Sequence, residues 1–171
     1  MDRLSPVSSR PSGPRLTTLG GVRDIPLVRL LSMAVTVALD ELHQELNSGG
    51  HPTLRPVHGY ALNAVLNGND TASAVAPLLA MTKQGAARVI QHLLNEGYLE
   101  YGTADGDARS KPLVLTSRGH DVIALSVSVQ ERIEEQWADV VGPRQMAGAR
   151  RALEQAVRHG RDELPAIRLG W

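Results

Sequence analysis

The stretch that decides the fold spans Met81 to Gly119 and reads MTKQGAARVIQHLLNEGYLEYGTADGDARSKPLVLTSRG. Its first half predicts an amphipathic helix, because apolar residues recur at spacings of three and four. The hydroxyl of Thr82 suits the start of that helix, since it can accept a hydrogen bond from an otherwise unpaired N–H group of the first turn. Gly97 suits its end, because glycine adopts the left-handed cap conformation without strain. The apolar face comprises Ala86, Val89, Ile90, Leu93 and Leu94.

A β-hairpin and a further helix are predicted after this helix. The segments Tyr98 to Thr103 and Leu113 to Leu115 are compatible with two short strands. The sequence Asp105-Gly106-Asp107 between them is a turn signal. Pro112 has no N–H group for a strand ladder, so we expect it at an edge or near the hairpin tip. Thr116 then precedes the start of the next helix.

The opposite face of the first helix suits an approach to nucleic acid. It carries no acidic residue before Glu96, as expected of a surface that approaches phosphates. At the hairpin tip, Asp107 precedes Arg109 by two residues and can hold the guanidinium in one orientation. A helix followed by such a hairpin can place side chains in two grooves of DNA at once. The residues predicted to contact double-stranded DNA are Thr71, Thr82, Lys83, Gln84, Ala87, Arg88, Gln91, Asp107, Arg109 and Lys111.

These motifs resemble those of the MarR family of winged-helix regulators. The resemblance extends over about residues 54–125 and is absent over roughly the first twenty residues. Two departures are Pro77, which interrupts the preceding helix, and Ala87, which replaces a small hydroxyl residue often found there. The wing motif is carried by residues 107–111 with Leu113, Leu115, Thr116 and Gly119, and the recognition-helix motif by residues 81–84 with Leu93, Gly97 and Tyr98.

The resemblance implies a mainly α fold, a winged helix-turn-helix with a small β-wing of two or three strands and terminal dimerisation helices. It also implies a homodimer that binds an inverted-repeat operator in DNA and represses transcription until a small ligand releases it. Aromatic carboxylates are the first effectors to test on this basis. The residues themselves show no specific ligand site. His58, Tyr60 and Trp137 are candidates for an effector pocket, and simple core packing is the alternative interpretation of all three.

The two ends of the chain differ from its middle. Residues 1–23 are rich in Ser, Pro, Gly and Arg, which predicts a disordered N-terminal arm. Residues 24–53 hold a helix whose apolar side chains extend beyond one face, so it must be covered from more than one side. A partner subunit is a natural source of that cover. Residues 120–171 are expected to form C-terminal dimerisation helices and an apolar tail.

The middle of the chain, residues 54–119, is predicted to be the DNA-binding region. A helix is expected at residues 56–66, and a short helix capped by Thr71 is expected to end near Leu79. After the hairpin, a long helix starting at Ser117 is expected to reach about Trp137. Gly142 and Pro143 then break the chain before a last helix over about 144–159.

Composition excludes several function classes. The 171 residues carry a formal net charge of zero and no cysteine, which excludes disulfides, thiolate metal sites and thiol redox sensing. The first residues lack the apolar core of a signal peptide, and no segment approaches the roughly 20 apolar residues of a membrane span. We therefore expect a cytoplasmic protein.

The six histidines include no pair four residues apart, and GxSxG and nucleotide-binding glycine motifs are absent, so we expect no metal, no cofactor and no enzymatic activity.

One function of a different class stays open. Winged helices also mediate protein contacts, so a protein-assembly module without DNA readout is the alternative interpretation. The arginine at the hairpin tip and the acid-free helix face favour DNA. Binding to random genomic DNA at low and moderate salt would distinguish the two.

Overall fold

The computed structural model describes residues 25–103, 111–161 and 166. Within them the chain is mainly α-helical with one small antiparallel sheet, which confirms the predicted fold class. The N-terminal arm, the hairpin tip with Asp107 and Arg109, and most of the C-terminal tail lie outside the described residues. The elements are α1 Leu27–Ser48, α2 Pro56–Leu66, α3 Ala72–Leu78, α4 Lys83–Asn95, β1 Leu99–Tyr101, β2 Leu113–Leu115, α5 Ser117–Val141 and α6 Pro143–Arg158.

Hydroxyl caps start the helices of the helix-turn-helix, as predicted. The Thr71 hydroxyl accepts the N–H of Ala74 at 3.2 Å before α3, and the Thr82 hydroxyl accepts the N–H of Gly85 at 3.1 Å before α4. Gly97 follows α4 with φ of 71°, in the left-handed region that glycine adopts without strain. Local sequence signals therefore fix both ends of α4.

The end of α3 departs from this pattern. Pro77 lies in its last turn, and the helix ends one residue later, at Leu78. Ala80 then adopts φ of 49°, which places a residue with a Cβ atom where glycine or asparagine is usual. The N–H of Met81 closes the turn by donating to the carbonyl of Ala76 at 3.1 Å. The turn between α3 and α4 thus holds a strained alanine.

The wing is a two-stranded antiparallel sheet in which Leu99 pairs with Leu115 and Tyr101 pairs with Leu113. Pro112 lies beyond the last pair, where its carbonyl accepts the N–H of Gly102 at 2.8 Å, so its missing N–H group breaks no ladder bond. One further backbone bond, from Leu113 N–H to the carbonyl of Asp70 at 2.9 Å, joins the returning strand to the segment before α3.

The core lies between α2, α3, α4, the wing and the first half of α5. Gly119, in the first turn of α5, marks its tightest approach. A Cβ atom at this position would overlap the carbonyl oxygen of Tyr98 and come within 2.8 Å of Cδ2 of Leu115. Glycine at 119 therefore sets the spacing between α5 and the wing. The core residues include Ala61, Leu62, Val75, Ala86, Ile90, Leu93, Tyr98, Leu99, Leu113 and Val122.

The chain divides after Thr36 into two compact units. In the first, residues 25–36 are described, and the apolar side chains of Leu27, Val28, Met33 and Val35 are all exposed. The second unit contains the rest of α1, of which only Leu46 is buried. The structure describes all of α6, and none of its residues is buried. Large apolar side chains on α5 and α6 are also exposed, namely those of Val127, Val140, Val141, Leu153 and Val157.

The long helix α5 extends to Val141, four residues beyond the predicted end, and Gly142 with φ of 94° and Pro143 break it as expected. Its apolar side faces the core at Val122, Val129 and Ile133, which are buried. Among the described residues, no helix combines the length and apolar character needed to cross a membrane.

Candidate nucleic-acid interface

The two faces of α4 differ sharply in exposure. Ala86, Ile90 and Leu93 point into the core and are buried. The face predicted to meet DNA is exposed at every position and contributes Lys83, Gln84, Ala87, Arg88 and Gln91. Because α4 has no acidic residue, this face offers two cations and two amides to an anionic partner. The structure thus brings together these five of the predicted site residues.

Neighbouring contacts keep the surroundings of this face ordered. The side-chain amide of Gln91 donates to Oδ1 of Asn95 at 2.8 Å. Glu96, the first acid after the helix, accepts a hydrogen bond from the Thr53 hydroxyl at 3.0 Å, in the loop between α1 and α2. The hydroxyls of Thr71 and Thr82 each accept a backbone N–H as helix caps, and each retains a proton that it can donate.

The wing adds exposed side chains from a second element. Lys111 is exposed just before β2, whereas Asp107 and Arg109 lie outside the described residues. Leu99 and Tyr101 share one face of β1, yet Leu99 is buried and Tyr101 is 59% exposed. The hairpin therefore extends past the core. Tyr101 is not among the predicted site residues, although the alternation of the strand around Leu99 is a signal for it.

Tyr98, between α4 and β1, joins several elements through its side chain. Its ring is fully buried, and its hydroxyl lies 2.9 Å from Nδ1 of His51. Arg118, in the first turn of α5, donates to the same hydroxyl at 3.2 Å and to the carbonyl of Gly50 at 3.3 Å. Its guanidinium carbon lies 4.7 Å from the centre of the Tyr98 ring, within the range of a cation–π contact. We call His51, Tyr98 and Arg118 the Tyr98 cluster.

Comparison with known proteins adds to this geometry. No protein-family model matches the sequence, and a search of characterised proteins finds no significant relative. Solved structures, in contrast, match closely in fold. A MarR family protein of Mycobacterium tuberculosis, solved with salicylic acid, aligns with a TM-score of 0.60 and 22% identity over 78% of this chain and 97% of its own. The reduced form of MarR from E. coli aligns with a TM-score of 0.65 and 17% identity over 78% of this chain and 97% of its own.

The chain has a MarR-like fold. A third structure, the M. tuberculosis MarR family protein in complex with DNA, aligns with a TM-score of 0.60 and 22% identity over 78% of this chain and 98% of its own. The resemblance inferred from the sequence motifs is confirmed at the level of fold.

Within the MarR-like fold, the predicted effector residues lie in different settings. His58 in α2 is buried, and its Nδ1 accepts the N–H of Arg55 at 2.9 Å. Tyr60 packs against the core cluster, and Trp137, in α5, is partly exposed. Across the described residues, no side-chain hydrogen bond joins the three. A shared pocket for these residues stays a prediction.

His58 does have a partner that sequence analysis missed. Its ring stacks on that of His92 in α4, with 4.3 Å between the ring centroids and 16° between the planes. Burial and the neighbouring His92 and Arg55 lower the pKa of His58 to about 4, whereas the negative charge of Glu96 acts in the opposite direction. No local pattern signals this pair, because its members belong to different helices. In the described part of the chain, no three side chains of His, Asp or Glu converge as a metal site would require.

Proposed function

We propose that this protein is a transcriptional regulator that binds double-stranded DNA in a sequence-specific manner. The observation that carries the proposal is the exposed, acid-free face of α4 opposite a face that is buried at Ala86, Ile90 and Leu93. A recognition helix needs this combination, because it must fit a major groove while the core holds it rigid. The DNA complex of the M. tuberculosis MarR family protein, which shares the fold, supports the same reading.

Individual roles follow from position. Gln84 and Arg88 face the major groove, where an amide or a guanidinium can bond to base edges or to phosphates. Lys83 and Gln91 extend the same surface, and the caps Thr71 and Thr82 can donate their hydroxyl protons to phosphates. Lys111 and Arg109 bring positive charge from the wing, and Asp107 orients Arg109 toward the minor groove.

We further propose that the regulator is a homodimer formed by its terminal helices. The exposed apolar side chains of α1, α5 and α6 support this proposal, since isolated chains rarely expose such surfaces. A two-fold dimer presents its recognition helices about one helical turn, roughly 34 Å, apart, so the operator is an inverted repeat. A monomeric mass by light scattering at micromolar concentration would contradict the dimer.

A small aromatic carboxylate is the effector class that we propose, with repression as the mode of regulation. The support is that the M. tuberculosis MarR family protein was solved with salicylic acid and with p-aminosalicylic acid. His58, Tyr60 and Trp137 are the candidate pocket residues. Coupling of about 1–3 kcal/mol would change operator affinity roughly 5- to 150-fold. Titration of salicylate against the free protein and against the operator complex tests this.

The decisive experiment is selection of bound DNA from a random pool, followed by affinity measurements on the selected site. Arg88→Ala is expected to weaken binding by about 1–3 kcal/mol if Arg88 reads a guanine, and to relax specificity at that position. If Arg88 contacts only phosphate, binding weakens on all sequences and the salt dependence decreases. Arg151→Ala on α6 removes the same charge away from α4 and serves as the control.

Failure to select any site, together with equal affinity of wild type and Arg88→Ala for all DNA, would contradict the proposal. The protein-assembly module would then be the better interpretation. Its own test is capture of a defined protein partner whose binding is lost on substitution of Arg88.

A further inference from the structure

Three residues from separate parts of the chain meet at the base of the wing. His51 belongs to the loop between α1 and α2, Tyr98 precedes β1, and Arg118 lies in α5. We propose that the Tyr98 cluster positions the wing on DNA without itself contacting DNA. This inference rests on the proposed function, because it concerns how the wing reaches the duplex.

The hydrogen bonds of the cluster have a defined direction. Arg118 can only donate, so the Tyr98 hydroxyl accepts from it. The hydroxyl proton of Tyr98 is then free to be donated to Nδ1 of His51, at 2.9 Å. In this arrangement Nδ1 of His51 is an acceptor, and the neutral ring carries its proton on Nε2. Burial and the nearby Arg118 lower the pKa of His51, against the opposing charge of Asp121, and this favours the same neutral form.

The backbone of Tyr98 transmits the position of its ring to the wing. Its N–H donates to the carbonyl of Leu93 in α4 at 2.9 Å. Its carbonyl accepts the N–H of Thr116 at 3.1 Å, at the start of α5, and the Thr116 hydroxyl donates to the neighbouring carbonyl of Gly97 at 2.7 Å. The next residue, Leu99, begins β1. A displaced ring would thus change the direction in which the strand leaves α4.

Arg118 itself is exposed, so a direct contact with phosphate is the competing explanation of any effect on DNA binding. Its guanidinium is already engaged with the ring and hydroxyl of Tyr98 and with the carbonyl of Gly50. The hydroxyl of Tyr98 is the better test site, because Tyr98→Phe removes the central hydrogen bonds while the ring and the charge of Arg118 remain.

The experiment compares footprints of the full-length protein on its selected operator. Hydroxyl radicals report protection by the wing in the minor groove, and methylation of guanine N7 reports protection by α4 in the major groove. For Tyr98→Phe we expect loss of the outer minor-groove protection, retained major-groove protection and an unchanged salt dependence. Affinity should decrease about 3- to 30-fold, the range typical of residues that act through others.

Substitutions of His51 separate positioning from folding. His51→Asn places an acceptor oxygen close to the place of Nδ1 and should retain wing protection. His51→Leu removes the acceptor and should lose it, with a circular dichroism spectrum like that of wild type. Thr53→Val is the matched control, because it removes a different hydrogen bond of the same loop, the bond to Glu96 at the end of α4. It should leave both footprints unchanged.

Arg118→Lys distinguishes the competing explanation. Lysine keeps the charge but lacks the planar guanidinium, so we expect the same loss of wing protection as for Tyr98→Phe. The competing explanation predicts two other results. Arg118→Lys would bind DNA with full affinity, and Arg118→Met would reduce the slope of log affinity against log salt by about one. These results would assign Arg118 to a phosphate contact and overturn the inference.

Two further outcomes separate this inference from the proposed function. In the first, wild type, Tyr98→Phe and His51→Leu all protect the two grooves and bind the operator with equal affinity. The inference is then wrong, while the DNA-binding function stands. If wild type protects neither groove of any DNA, the proposed function fails, and the inference fails with it.

Discussion

The imidazole ring of His58 in α2 stacks on that of His92 in α4, so the inner side of α4 meets α2 through a pair of histidines. Arg55 from the start of α2 and Glu96 from the end of α4 are the charged neighbours of His58. The Nδ1 atom of His58 accepts a backbone N–H, which requires that nitrogen to be unprotonated. Protonation of His58 would therefore break this bond at the start of α2 and place a charge against the ring of His92.

The stability of the protein should decrease as pH falls through the window set by His58. The unfolded side chain titrates near pH 6.5, whereas burial, His92 and Arg55 lower the folded pKa to about 4. Between these values the unfolded chain binds more protons, so acid favours unfolding. Urea unfolding at pH 7 and pH 5 should show wild type losing about 2 kcal/mol more than His58→Asn, which keeps an acceptor but does not titrate.

His120→Asn, at an exposed position of α5, is the control and should lose as much stability as wild type over the same interval. An equal pH dependence for wild type and His58→Asn would show that His58 titrates normally in the folded chain.

Gly119 should tolerate no side chain. Gly119→Ala would drive a methyl group into the carbonyl oxygen of Tyr98 and against Leu115. We expect a loss of about 1–3 kcal/mol in the free energy of unfolding, measured in urea. Gly59→Ala in α2 is the matched control, because no atom lies within 4 Å of its Cβ position. It should be stabilised by about 0.5–1 kcal/mol. Equal effects at the two positions would disprove the close approach of α5 to the wing.

The turn between α3 and α4 should gain stability from a glycine. Ala80 holds φ of 49°, a conformation that costs a residue with a Cβ atom about 1–2 kcal/mol. Ala80→Gly removes this strain but gives the unfolded chain more freedom, worth about 0.4–1 kcal/mol. A net gain of about 0.5–1 kcal/mol is expected in thermal or urea unfolding. Ala124→Gly, exposed inside α5, should instead lose about 1 kcal/mol. A loss at both positions would mean that Ala80 is not strained.

The wing-tip prediction rests on sequence alone, since Arg109 and Asp107 lie outside the described residues. Arg109→Ala should leave the melting temperature unchanged and weaken operator binding about ten-fold or more, a loss of about 1.4 kcal/mol or greater. Asp107→Ala should also weaken binding, because the sequence predicts that Asp107 holds the guanidinium of Arg109 in one orientation. Tighter binding by Asp107→Ala would indicate simple charge repulsion instead, and full affinity of Arg109→Ala would remove the tip from the interface.

Local signals predicted much of this fold. Helix ends depend on neighbours within a few residues, so a single sequence is enough to predict them. This holds for the bounds of α2, the caps at Thr71 and Thr82, and the glycine after α4. The exposed face of α4 followed from its periodicity for the same reason. The motif glycine at 119 was recognised by resemblance, but its physical reason, the carbonyl of Tyr98, is visible only in three dimensions.

The rest depends on contacts between distant residues. His51 lies 47 residues from Tyr98, and Arg118 lies 20 residues beyond it, so no window of sequence contains the Tyr98 cluster. The stacked histidines are likewise invisible, since each alone is an ordinary helix residue. The left-handed Ala80 was missed because Pro77 predicted an interruption of α3 without indicating which residue would reverse the chain.

Only three residues separate the end of α4 at Asn95 from the start of β1 at Leu99. A one-residue shift in the pairing of β1 would turn its side chains to the opposite face and expose Leu99. The present register therefore depends on the length of this connection. Under the proposed function, new DNA specificities would arise by replacing side chains on the outer face of α4, whereas the connection between α4 and β1 would keep its length.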